Sequence, residues 1–232
     1  MTEHTVKSFD QDIGELRALI SEMGDRAETA VNGAMDALVK YNREAAETIV
    51  AGDKKIDALE AEVEKLAVRI IALRAPMADD LREVIAALKI AGTIERIGDY
   101  AKSIAKRVPT IQGARRFEAM ALLPAMTTVV VEMVHDVLDA FTARDAVKAS
   151  EVWRRDKTVD DFYNSVFRAL LTFMMENPHS ISGAAHLLFV AKNLERIGDH
   201  ATNIAEMVYY AATGSNLGER ERGEDISASA EG

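Results

Sequence analysis

The chain is 232 residues long, 48% hydrophobic and free of cysteine, so it can build a substantial core while disulfides and thiolate metal sites are excluded. An excess of 38 acidic over 28 basic residues gives a formal charge of −10, which repels phosphate backbones and anionic lipid and argues against nucleic acid as a direct partner. The amino terminus lacks a basic segment followed by an apolar run, and no stretch approaches the roughly 18 apolar residues of a membrane span. A cytoplasmic location is therefore expected, with membrane contact only through partner proteins.

Apolar residues recur at alternating spacings of three and four along almost the whole chain, the period of packed helices. Phe9, Ile13, Leu16, Ile20, Met23, Ala27, Ala30, Ala34, Ala37 and Tyr41 predict a first helix. A second stripe, Ile49, Ile56, Leu59, Val63, Leu66, Ile70 and Leu73, ends before Pro76, which has no N–H to continue it. Asp79 or Asp80 is placed to cap a third helix carrying Ala87, Ile90, Ile94, Ile97, Ala101, Ile104 and Val108, closed by Pro109. Residues 110–116 read as a linker. Helices over 117–142, 145–176 and 178–213 follow, and the polar stretch 214–232 reads as a disordered tail. No segment reads as a strand.

The third and sixth helices carry the same peptide: Ile94-Glu95-Arg96-Ile97-Gly98-Asp99 and Leu194-Glu195-Arg196-Ile197-Gly198-Asp199. Ala101, Ile104 and Ala105 recur as Ala201, Ile204 and Ala205, and Asp53-Lys54 with Asp57 recur as Asp156-Lys157 with Asp160. The chain is thus two copies of one unit. Short connections make consecutive helices antiparallel neighbours, so the predicted fold is all-α: two tandem, pseudo-symmetric three-helix bundles, residues 1–109 and 117–213, with six long helices.

Glu95 with Asp99, and Asp53 with Asp57, stand four residues apart and share a helix face; Glu195 with Asp199 and Asp156 with Asp160 repeat both pairs. Like charges at this spacing destabilise an isolated helix by about 0.2–0.5 kcal/mol per pair, and a bound cation reverses the sign. Each half therefore offers four carboxylates to a hard-oxygen cation site. The alternative is a solvated face neutralised by Arg96, Arg196, Lys54 and Lys157. The stripe assignment puts Glu95, Asp99 and Asp57 opposite the core, on the outer surface of the bundle. Gly98 and Gly198 cost about 0.5–1 kcal/mol each relative to alanine in a helix, which calls for close approach of another helix, a ligand or the other half.

Other candidates are weaker. His135 and His200 neighbour aspartates but suit surface roles, and the methionines, Met174 and Met175 among them, read as core filler. Within a single predicted helix the chain holds one Glu-x-x-His, Glu132 with His135, where the first half has Asn32 and Met35; a buried carboxylate-bridged oxidase centre needs two. No phosphate loop and no Ser-His-Asp set is present, so no enzyme chemistry is expected.

The doubled Glu-Arg-Ile-Gly-Asp, the segments Gly52-Asp53-Lys54-Lys55-Ile56-Asp57 and Arg155-Asp156-Lys157-Thr158-Val159-Asp160, the run Val68-Arg69-Ile70-Ile71-Ala72, and His135-Asp136-Val137-Leu138-Asp139-Ala140-Phe141 resemble the PhoU family of phosphate-transport accessory and phosphate-signalling proteins. The resemblance spans roughly residues 5 to 212. It implies a negative regulator of the phosphate-starvation response and of phosphate uptake, an adaptor between the phosphate ABC transporter, through its ATPase subunit, and a histidine kinase with its response regulator. It also implies a homodimer. Some members carry multinuclear iron or zinc clusters on such acidic motifs, with magnesium, manganese or calcium as further candidates. Carried over, the ligands are Asp53, Asp57, Glu95 and Asp99 in one site and Asp156, Asp160, Glu195 and Asp199 in the other. A metal-binding or metal-storage bundle is the alternative function.

Overall fold

The computed structural model describes residues 2–111 and 118–218, with side chains from residue 9 in the first stretch and from residue 120 in the second. The linker positions 112–116 and the tail positions 219–232 lie outside the described residues, as does Phe117, the expected start of the fourth helix. The described residues are helices and turns: α1 (Thr2–Lys40), α2 (Arg43–Gly52), α3 (Lys54–Arg74), α4 (Asp79–Ala105), α5 (Leu122–Ala143), α6 (Ala146–Arg154), α7 (Asp156–Glu176) and α8 (Ile181–Thr213). Single 3-10 turns, Glu118–Ala121 and Pro178–Ser180, precede α5 and α8.

Each repeat is a three-helix bundle, α1 with α2–α3 and α4, then α5 with α6–α7 and α8. The second helix of each bundle was expected to be continuous and is instead broken, at Asp53 and at Arg155. Both residues keep right-handed helical backbone angles, and i→i−3 bonds replace the regular pattern there, Ile56 N–H to Asp53 O and Thr158 N–H to Arg155 O. The helix is therefore interrupted without the backbone leaving the helical region. Side chains start the shorter pieces: Asn42 accepts from the Ala45 N–H at 3.0 Å, and Asp145 from the Val147 and Lys148 N–H groups at 2.9 and 3.0 Å.

Two sequence expectations fail locally. Ala78, not Asp79 or Asp80, occupies the N-cap of α4, in a positive-φ conformation with no side-chain cap, and Asp79 accepts instead from Arg82 at 2.6 Å. Leu73 and Met175, read as core, are 71% and 78% exposed because both face away from the core in the last turn of a helix, while Met174 beside Met175 packs against it. The third stripe holds completely: Ala87, Ile90, Ile94, Ile97, Ala101 and Ile104 are fully buried. Burying side chains such as these isoleucines contributes about 1.5–3 kcal/mol each.

The third helices form the spine between the repeats. Tyr100 stacks on His200, Ser103 accepts from Asn193 at 3.1 Å, and Arg107 meets His186 at 3.2 Å, so α4 and α8 run antiparallel. A buried carboxylate adds a polar tie: Glu83 of α4 bonds Arg17 of α1 at 2.6 Å and Arg144, at the end of α5, at 3.4 Å. Among the described residues no helix is long and apolar enough to cross a membrane.

Candidate functional site

The doubled glycines explain how the acidic helices come together. A Cβ on Gly98 would stand 2.8 Å from Ile56 Cδ1, and one on Gly198 3.1 Å from Val159 Cγ1. Each glycine thus admits the second helix of its own repeat, not the other half of the molecule. That approach sets α3 beside α4 and α7 beside α8 with their carboxylates in one seam per repeat.

In the first repeat the structure separates the four predicted residues. Asp57 and Asp99 are exposed and Glu95 is half-buried, but Asp53, at the helix break, is only 6% exposed and turns toward α4. The expectation that Asp53 shares a helix face with the exposed Asp57 therefore fails, as it does for Asp156, 4% exposed, beside the half-buried Asp160. Asp53 stands four residues after Ile49 and three before Ile56, and Asp156 four after Val152 and three before Val159, so each aspartate takes a core position of its stripe. Lys102, one turn beyond Asp99, places its Nζ 2.5 Å from Asp53 Oδ2 and 3.0 Å from Asp99 Oδ1. Those two hydrogen bonds, that to Asp53 first, push the ammonium pKa well above its ordinary value. Burial raises the Glu95 carboxyl pKa, and Asp99, Glu60, Asp57 and Asp53 raise it further. Glu60 joins the same seam, its own pKa raised by burial, Glu64 and Asp57, and its Oε1 lies 3.2 Å from where a Gly92 Cβ would be.

The second repeat arranges its charges differently. Lys192, one turn before Glu195, bonds Glu195 Oε1 at 2.8 Å and lies 5.0 Å from the ring centre of Tyr163. Burial raises the Glu195 pKa despite Lys192, with Asp199 and Asp160 adding to the rise, and Oε2 is buried without a hydrogen-bond partner. Asp160 and Asp199 are half-buried. The structure thus pairs Asp53 and Asp99 with Lys102 and Glu195 with Lys192; of the residues expected to neutralise the carboxylates, Lys157 bonds Asp161, and Arg196 lies 5.8 Å from the Tyr100 ring centre.

The donors are all oxygen, which suits hard cations. Among the described residues, however, no three His, Asp or Glu side chains are arranged to hold a metal ion. Of the histidines, His135 sits 3.4 Å from Glu28 and 3.8 Å from Asp139, away from either seam, and His200 is held in its stack with Tyr100. Glu60, Lys102 and Lys192 were missed in the sequence because none recurs between the repeats, and repetition was the signal that singled out the other carboxylates.

The chain matches the PhoU domain family twice, over residues 20–108 and 123–208. It is 58% identical over 226 residues to the phosphate-specific transport system accessory protein PhoU homolog of Zymomonas mobilis, covering 97% of this chain and 95% of that protein. The homolog of the same name from Caulobacter vibrioides is 48% identical, with 94% and 95% covered. Among solved structures, PhoU from Pseudomonas aeruginosa superposes with a TM-score of 0.85 at 36% identity, over 89% of this chain and 100% of that one. The phosphate transport system regulatory protein PhoU from Streptococcus pneumoniae gives the same TM-score at 28% identity, over 91% and 100%. With both repeats matched and nearly the whole chain aligned, this chain belongs to the PhoU family.

Proposed function

We propose that the chain is an accessory protein of phosphate-specific transport that acts as a negative regulator of phosphate uptake and of the phosphate-starvation response. It works as a non-enzymatic cytoplasmic adaptor between the phosphate ABC transporter, through its ATPase subunit, and a histidine kinase with its response regulator, and it functions as a homodimer. The observation that carries this reading is the end-to-end match of both repeats to accessory proteins of that name. The helices support it: apart from the buried Asp53 and Asp156, their candidate carboxylates are exposed or half-buried charges on the bundle surface, suited to recognition. Deleting the gene is expected to make phosphate-starvation genes constitutive and to raise phosphate uptake in rich medium. Unchanged repression in rich phosphate overturns the reading.

A second reading, a bundle that binds iron, zinc or another divalent cation at one site per repeat, is favoured by the buried, unpartnered Oε2 of Glu195. Its ligands are Asp53, Asp57, Glu95 and Asp99 in one repeat and Asp156, Asp160, Glu195 and Asp199 in the other. Elemental analysis of protein purified without chelator or affinity tag tests it. Metal-free protein, with stability unaffected by Asp99→Ala and Asp199→Ala, removes it.

A further inference from the structure

The seam between α3 and α4 has two ends of opposite character. Gly92 beside Glu60, Gly98 beside Ile56 and Lys102 beside Asp53 fix the antiparallel register of the two helices. Continued toward the hairpin, that register sets Ile85 opposite Val68 and Leu81 opposite Ile71. These four are exposed, Val68 at 62%, and Met77 at the hairpin tip is 79% exposed. Leu88, half-buried, continues the strip toward Gly92. Beyond Gly92 the same surface becomes acidic, with Glu60, Glu95, Asp57 and Asp99.

The arginines nearby are engaged elsewhere. Arg69 and Arg74 are drawn to Asp12 and Glu15 on α1, and Arg82 is bonded to Asp79. Arg96 acts on His200 across the spine as well as on Glu60. Lys102 offsets one charge at the far end. The strip thus leaves large apolar side chains in water next to mutually repelling carboxylates, a combination with no benefit to the isolated fold.

We propose that the α3–α4 seam is the docking surface for a partner protein helix that is apolar over one half and rich in lysine or arginine over the other. Leu81 and Asp99 stand 18 positions apart, about 27 Å along the helix, so the partner segment is of similar length. Charge complementarity selects this occupant. The acidic half rejects an anionic membrane surface, and a second copy of this acidic seam repels it along the same stretch. Apolar residues followed by basic ones are the pattern that flanks membrane spans on their cytoplasmic side, so a juxtamembrane segment of a membrane protein has the required chemistry. The inference rests on the adaptor reading only for the partner's identity. Its test uses purified components, so its failure is distinct from a failed deletion phenotype.

The probe is a fluorescein-labelled 18-residue helical peptide, leucine-rich in one half and lysine-rich in the other, titrated with the full chain in anisotropy measurements. Two controls carry the same charge with serine for leucine, or glutamate for lysine. Leu81→Asp with Ile85→Asp, and separately Met77→Asp in the exposed turn, are expected to weaken binding, the double variant at least tenfold. Glu95→Gln with Asp99→Asn is expected to weaken it at low salt and to flatten its salt dependence. Circular dichroism and light scattering on each variant report fold and oligomeric state. Equal binding of the serine peptide, or unchanged affinity in both apolar variants, overturns the proposal. So does an oligomer that dissociates on Leu81→Asp with Ile85→Asp while Met77→Asp leaves peptide binding intact, because the seam is then covered by a second copy.

Discussion

Tyr100 and His200 occupy the same position in the two repeats and stack on each other, ring centroids 5.5 Å apart and planes inclined by 21°. Each follows the Gly-Asp of its repeat, so the duplicated peptide that carries the acidic seams also brings the two halves together. Burial lowers the His200 pKa below its ordinary 6.5, Arg96 and Arg196 lower it further, and Asp199 opposes them.

Acid is therefore expected to weaken the spine. The folded state holds His200 neutral at pH values where the unfolded chain already protonates it, so the unfolded state binds more protons and stability falls as pH drops below 6.5 toward the depressed folded value. Well above 6.5 the group contributes no slope. Comparing thermal unfolding of the wild type and His200→Phe between pH 7.5 and pH 5.5 isolates the effect. The wild type is expected to lose more Tm than the variant, and equal losses exclude His200 as the cause.

Glu95 carries the opposite sign. Its carboxyl pKa is raised in the fold by burial and by Asp99, Glu60, Asp57 and Asp53, so its ionised form opposes folding at neutral pH, and the penalty disappears as pH falls through the folded value toward 4.5. Glu95→Gln is expected to stabilise the chain at pH 7 by roughly 0.5 kcal/mol, the scale of like-charge pairs on a helix. The gain is expected to shrink in high salt, where exposed charges are screened. Urea unfolding at two ionic strengths checks both.

Glu83 is the converse case of a buried charge that is paired. It is 4% exposed and bonds Arg17 and Arg144 from two other elements. Removing one partner of a buried ion pair costs about 3–5 kcal/mol; partial exposure of Arg17 and Arg144 lowers the expectation for Glu83→Gln to about 2–3 kcal/mol. For a chain of this size that is a fall in Tm of roughly 4–12 °C. An unchanged Tm in a calorimetric scan contradicts the assignment.

The fit of Gly98 against Ile56 predicts coupling between them. Gly98→Ala gains about 0.5–1 kcal/mol of helix propensity but places its Cβ 2.8 Å from Ile56 Cδ1. Ile56→Val removes that methyl group. The two changes together are expected to be more stable than the sum of their separate effects by about 0.5–1 kcal/mol, measured as a double-mutant cycle. Strict additivity shows that the glycine is not kept for this contact.

Much of this architecture was legible in the spacing of apolar residues. Ile90, Ile94 and Ile97 recur with the helical period because a buried face demands it, and Leu187, Val190 and Leu194 repeat them because the unit is duplicated. The breaks at Asp53 and Arg155 were not legible, since both residues remain in helical conformation and neither proline nor a positive-φ glycine marks them. Nor was the pairing of Lys102 with Asp53, which depends on the register between two helices. The carboxylates were visible as a pattern, but their burial differs from one to the next. That difference arises at the helix breaks, where Asp53 and Asp156 take positions that the apolar residues hold elsewhere along the stripe.

The antiparallel spine of α4 and α8 also fixes a direction for recognition. Because the two helices run oppositely, the α3–α4 and α7–α8 seams point opposite ways along the molecule. A ligand that reads both must reverse its polarity between them. Partners with twofold symmetry satisfy that geometry and gain avidity from it, whereas a straight tandem array of identical motifs can register with only one seam at a time.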